Sequence, residues 1–123
     1  MKLLQILNEI EVINTMSYKI KVDGKTILVA PEDQGEMNWG EATEACKKIG
    51  PGWRLPTKEE LIAMYNQLHK QDKGNFKDDW YWSSSQYGSS EAWMVSFGGG
   101  NIYNGSRYYI GRVRAVRSPN LTI

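Results

Sequence analysis

The chain has 123 residues, with 15 Lys and Arg against 14 Asp and Glu, so its formal charge is only +1. That balance argues against binding nucleic acid through phosphate neutralisation, and the length accommodates one ordinary core and no second full domain. A single cysteine, Cys46, and a single histidine, His69, leave no intrachain disulfide, no thiolate cluster and no histidine-based zinc site.

No apolar run approaches the roughly 20 residues of a membrane-spanning helix, which argues against membrane insertion. The start, Met1-Lys2-Leu3-Leu4, is broken by Gln5, Asn8, Glu9 and Glu11 without a small-residue cleavage site. It is therefore expected to be part of the working protein, made in the cytoplasm or carried in a phage particle. Leu3, Ile6, Ile10 and Ile13 recur at helical spacing, and Leu4 and Leu7 widen the stripe. This predicts an amphipathic helix over residues 1–16, which either packs on its own domain or joins copies into a homo-oligomer through residues 1–15.

Tyr18 to Val22 and Lys25 to Ala30 are short β-branched runs separated by Asp23-Gly24, the signal of a two-residue hairpin. Pro31 to Glu36 reads as a surface loop. Asn38 and Glu41 form a capping box for a helix to Ile49, with Trp39, Ala42, Ala45, Cys46 and Ile49 as its apolar stripe; Gly50-Pro51 stops it. Cys46 on that stripe reads as a small buried hydrophobe. A second capping box, Thr57 and Glu60, opens a helix expected to end near Gln71 to Gly74, with Leu61, Met64, Tyr65 and Leu68 on one face. His69 reads as a solvated cation near its carbonyl end, and Asp78-Asp79 as a solvated turn.

Beyond Trp80 the composition changes. Of the residues from Tyr81 to Gly111, five are Tyr, seven Ser and six Gly, while only Glu91 and Arg107 are charged. Tyr81, Trp82, Trp93, Val95 and Phe97 supply too much apolar bulk for a flexible linker. Alternation in Ala92 to Gly98 predicts a strand with Trp93, Val95 and Phe97 in the core and Met94, Ser96 and Gly98 outward. Gly98-Gly99-Gly100 lacks the Lys and helix of a phosphate cradle and reads as a hairpin turn or a site of close backbone approach. Arg112 to Arg117, with Val113 and Ala115, reads as a final strand partnering residues 92–97. Arg54 is expected to bond carbonyls or an acid and hold the loop before the second helix. The whole predicts an α+β domain in which both helices pack on a small twisted antiparallel sheet, with the N- and C-terminal strands close together and Trp39, Trp53 and Trp82 joining the core.

Trp39-(x2)-Ala42-(x3)-Cys46, Gly52-Trp53-Arg54-Leu55-Pro56-Thr57-(x2)-Glu60-Leu61, Tyr81-Trp82-Ser83-Ser84-Ser85, Ala92-Trp93-x-Val95-x-Phe97 and Arg112-Val113-Arg114-Ala115-Val116-Arg117-Ser118 form an ordered string. It resembles the C-type-lectin-like domains of bacterial and phage proteins, including the formylglycine-generating-enzyme branch, and above all the variable proteins of diversity-generating retroelements. The resemblance covers about Met37 to Ser118 within a domain taken as 17–123. It implies a C-type-lectin-like fold and a variable region of about 81–118, where an error-prone reverse transcriptase rewrites adenines. Tyr, Ser, Gly, Asp and Ile are all reachable from asparagine codons in this way.

The implied ligand face comprises Tyr87, Ser89, Ser90, Met94, Ser96, Gly98, Tyr103, Asn104, Ser106, Tyr108, Tyr109 and Ile110, recognising a protein or glycan ligand. Tyr with Ser, Gly and Asn is also the composition of an antibody paratope. The alternative is a non-diversified structural or surface-assembly domain of the same fold. No enzyme, cofactor or metal is expected: the formylglycine-generating chemistry relies on a cysteine pair, and the Glu-Pro-Asn or Gln-Pro-Asp triplet of calcium-dependent lectins is absent, with Glu91 the only acid after residue 80.

Overall fold

The computed structural model describes Leu3, Leu4 and residues 16–119. The helix expected over residues 1–16, and oligomerisation through it, therefore fall almost wholly outside the described residues. Strands β1 (Tyr18–Val22) and β2 (Lys25–Val29) form the expected hairpin, with Asp23 and Gly24 at φ 51° and 77°. Positive φ at both turn positions matches the right-handed twist of the flanking strands. β3 (Glu36–Met37) precedes α1 (Trp39–Ile49), and α2 (Lys58–Gln67) follows. Both capping boxes are made: Asn38 with Glu41, and Thr57 with Glu60. The remaining strands are β4 (Trp80–Tyr87), β5 (Glu91–Ser96), β6 (Ile102–Ser106), β7 (Gly111–Arg112) and β8 (Val116–Arg117).

Two sheets result. One has the order β1-β2-β8, which ties the chain's start to its end, and the other β3-β7-β4-β5-β6. In the larger sheet β4 and β7 run parallel, and the other pairs are antiparallel. α2 packs against β1, β4 and β5, burying Leu61, Met64 and Leu68 with Ile20, Val29, Tyr81, Val95 and Phe97. α1 lies against β3 and β4 and joins Ala42 and Cys46 to a second cluster of Trp53, Leu55, Trp82, Ala92, Met94 and Val113. The large sheet thus has apolar packing on both faces. Desolvation pushes the Cys46 thiol up to about 12, as befits a small core hydrophobe.

Several expectations are corrected. Met94 is buried at 3% exposure while Trp93 is half-buried, because the Met94 face is packed as well. Val95 and Phe97 are core as expected. Residues 111–117 do not partner 92–97: β7 pairs with β3 and β4, β8 pairs with β2, and β5 lies between β4 and β6. On α1 only Ala42 and Cys46 are buried, and Ile49 is exposed. α2 stops at Gln67, continuing as a 3-10 turn, His69–Gln71, that Asp72 closes at φ 57°.

The His69 side chain is packed rather than solvated, at 20% exposure. Its ring lies among Tyr65, Phe76 and Phe97, and its Nε2 is 2.6 Å from Asp78 Oδ1. Asp79 accepts from Arg112 Nε at 2.9 Å and from its neighbour Trp80 N at 2.8 Å, so the acid pair anchors the entry to β4.

Arg54 behaves as expected, forking onto Glu60 at 2.6 and 2.8 Å and donating to Leu55 O. The bidentate pair locks the loop to the first turn of α2. Burial pushes the Glu60 carboxyl up, but the bonds from Arg54 and the Thr57 N–H prevail and hold it below its ordinary 4.5. Arg114, fully buried, donates to Asp33 at 2.8 Å and to the carbonyls of Ala30, Gly74 and Asn75. Its guanidinium also lies over the Phe76 ring at 4.0 Å.

Candidate functional site

β5 and β6 are joined by a tight turn at Phe97–Gly99, as the glycine run suggested, and Gly100 (φ 85°) brings the backbone against the Tyr65 ring. The register pairs Met94 with Tyr103 and Ala92 with Gly105. Opposed residues share a face, so Tyr103 stands over Met94 on the side where β4 contributes Trp80 and Trp82. After β6 the chain folds back through Arg107–Ile110, placing Tyr109 beside Gly105. Together Trp80, Met94, Tyr103, Tyr109 and Ile110 line an open cavity of about 410 Å³.

Three groups at its rim are exposed: Tyr103 at 47%, Tyr109 at 50% and Ile110 at 63%. Met94 forms the floor. The Trp80 and Tyr103 rings meet edge to face at 5.9 Å. Tyr109, by its charge when ionised and by a hydroxyl hydrogen bond, raises the Tyr103 pKa above its ordinary value of 10.0. Among the described residues, no Asp, Glu, Lys, Arg or His lines the cavity.

The remaining expected site residues separate from this cavity. Ser89, Ser90 and Tyr108 line a smaller depression of about 230 Å³ with Asn38, Gly40 and Arg107. Arg107 donates to Ser89 O at 2.7 Å and lies over the Trp39 ring at 4.7 Å, fixing that loop to the start of α1. Tyr87 packs on Trp93 at 5.2 Å, and Asn104 pairs with Trp93 across the ladder, so both lie toward the opposite face of the sheet. Ser106 caps the turn by accepting from Tyr108 N. The Ser96 hydroxyl accepts from Gly98 N and shapes the β5–β6 turn.

The twelve residues thus do not share one face. Met94, Tyr103, Tyr109 and Ile110 converge; the others form a second group or serve the strands and turns. Trp80 was missed by sequence reasoning, although its spacing of two from Trp82 on one strand was the available signal. Arg107 was noted only as a rare charge.

A central sheet with apolar packing on both faces, terminal strands paired in a second sheet, and an aromatic surface on irregular connections together define a C-type-lectin-like domain. The model of the Lcl C-terminal domain family matches residues 15–117, and the chain belongs to that family, a C-type-lectin-like domain of the variable proteins of diversity-generating retroelements. No curated protein matches the chain. Among the described residues no helix is long and apolar enough to cross a membrane, and no cluster of three His, Cys, Asp or Glu side chains is arranged to hold a metal ion.

Proposed function

We propose that this domain binds a protein or glycan ligand without catalysing a reaction, through the Tyr/Ser/Gly-rich surface of residues 81–118. The observation that carries this reading is the cluster of exposed Tyr103, Tyr109 and Ile110 around an uncharged cavity, beside Tyr108 at 84% exposure. Large apolar side chains held at a surface mark interaction sites, and tyrosines supply rigid contact area with a hydrogen-bonding tip. The buried Trp82, Val95 and Phe97 carry the packing, so the rim can change sequence while the core stays intact.

In favour of binding over catalysis, His69 is engaged by Asp78 and packed among aromatic rings, and no Ser, Thr or Cys among the described residues is hydrogen-bonded to it. The test is a displayed library randomised at Tyr103, Ser106, Tyr108, Tyr109 and Ile110, scored for folded fraction and then selected against protein and glycan panels. Folded variants with new binding specificities are expected. Widespread unfolding would return these side chains to a structural role. A near-identical repeat differing at adenines, beside a reverse transcriptase gene, would support diversification independently.

A further inference from the structure

Of the four edge strands of the two sheets, three carry a feature that hinders further pairing and one does not. β1 carries Lys19 and Lys21, and the Gln67 amide both accepts from Lys21 N at 2.8 Å and donates to Lys21 O at 2.7 Å. β8 is closed by Arg54, which exchanges backbone bonds with Val116 at 3.0 and 2.9 Å. β3 is only two residues long. Short edges, lysines and covering groups are the ordinary devices that prevent unwanted strand pairing. β6, Ile102-Tyr103-Asn104-Gly105-Ser106, ends the large sheet at full length with no Lys, no Pro and no register shift against β5.

Its open hydrogen-bonding groups can be assigned. Ser96 N donates to Asn101 O and Arg107 N donates to Ser90 O, so in this antiparallel register the residues bonded to β5 are Asn101, Tyr103, Gly105 and Arg107. The N–H and C=O of Ile102 and Asn104 therefore point away from the sheet, and among the described residues neither has a partner. Tyr103, between them, faces the cavity. A strand laid beside β6 would take its hydrogen bonds from Ile102 and Asn104, and its alternate side chains would fall on the cavity side.

Resting on the ligand-face reading above, we propose that the site takes an extended, uncharged polypeptide segment of a partner protein. The segment adds in β-conformation to the open edge of β6 and seats an apolar side chain between Trp80, Met94, Tyr103, Tyr109 and Ile110. The absence of charge from both β6 and the cavity lining matches an uncharged segment, and the main-chain groups supply affinity while the cavity supplies selectivity. A glycan would use the aromatic rings and leave the edge unused.

The test is selection of a displayed library of random ten-residue peptides on the immobilised full chain. Enriched peptides should carry apolar residues at alternate positions. Asn104→Pro removes one outward donor without touching the β5 ladder, as proline is tolerated where the N–H faces solvent. It should weaken binding about tenfold or more while the melting temperature holds within a few degrees. Independently of any variant, N-methylation of one alternating set of the peptide's amides should abolish binding and methylation of the other set should not.

No enrichment, or peptides indifferent to Asn104→Pro and to both methylation sets, overturns the proposal. So does a dimer without peptide that Asn104→Pro dissociates, which would give the edge to a second copy. A ligand lost by Tyr103→Ala but unaffected by Asn104→Pro keeps the ligand face and overturns strand addition alone.

Discussion

Arg114→Met is the sharpest test of what holds the two sheets together. Methionine roughly preserves the volume, so the change removes charge and donors more than packing. Arg114 bonds Asp33 Oδ1 at 2.8 Å, Gly74 O at 2.7 Å, Asn75 O at 3.1 Å and Ala30 O at 3.2 Å. After substitution the Asp33 carboxylate keeps, among the described residues, only the Tyr81 hydroxyl at 2.8 Å and Arg112 at 4.0 Å, and buried carbonyls lose their donor. Removing one partner of a buried ion pair costs about 3–5 kcal/mol. A 123-residue chain is stable by roughly 6–18 kcal/mol in all, so the variant should fold but melt about 10–20 °C lower. Urea denaturation of wild type, Arg114→Met, Asp33→Leu and the double variant measures the coupling, and the double variant should recover part of the loss. A loss below about 1 kcal/mol in Arg114→Met would refute the reasoning, because carbonyls stranded without a donor cannot be that cheap.

Gly111→Ala should cost about 1–3 kcal/mol in the same assay, since the new Cβ would lie 2.5 Å from Met94 Cε and 2.9 Å from Trp82 Nε1, which is pinned by its bond to Met37 O. Ile110→Ala, one residue away and 63% exposed, should cost little, and equal losses in the two would contradict the packing described. Glu60 has a depressed native pKa, so its contribution is complete above the unfolded carboxylate value and is lost as pH falls through the lower native one. Unfolding free energy should therefore drop more steeply below about pH 4.5 in wild type than in Glu60→Gln, and parallel profiles would remove Glu60 from the acid response.

What the sequence made legible was local. The Asp23-Gly24 turn and the two capping boxes each depend on residues no more than three apart, and all form as written. The stripe on α2 was legible because one face alone is covered. β5 was misread because alternation tells inside from outside only when one face of a sheet is solvated, whereas here Met94 and Val95 belong to different apolar clusters. The partners of residues 111–117 were not legible either, since strands of two residues carry no periodicity and their pairing is fixed by distant contacts such as Arg114 with Asp33. Nor could spacing reveal that Asp78 and His69, nine residues apart, would meet.

The division between what can vary and what cannot runs through single strands rather than between regions. On β6, Gly105 is buried because an added Cβ would lie 2.9 Å from Met94 Sδ and 3.2 Å from the Tyr109 ring, yet Tyr103, two residues earlier on the same face, is exposed. Glycine at 105 and 111 lets Met94 and Trp82 fill the space beneath the backbone, so the sheet below the cavity is solid before any rim side chain is chosen. Tyr109, although near Gly105, adds its bulk from above. If the rim is the binding surface proposed above, it changes by exchanging groups that rest on a finished floor, and its diversification is tolerable only while the two glycines and Met94 stay fixed. Variation spread uniformly over 81–118 would cost the fold; variation confined to the rim costs only contacts with solvent or ligand.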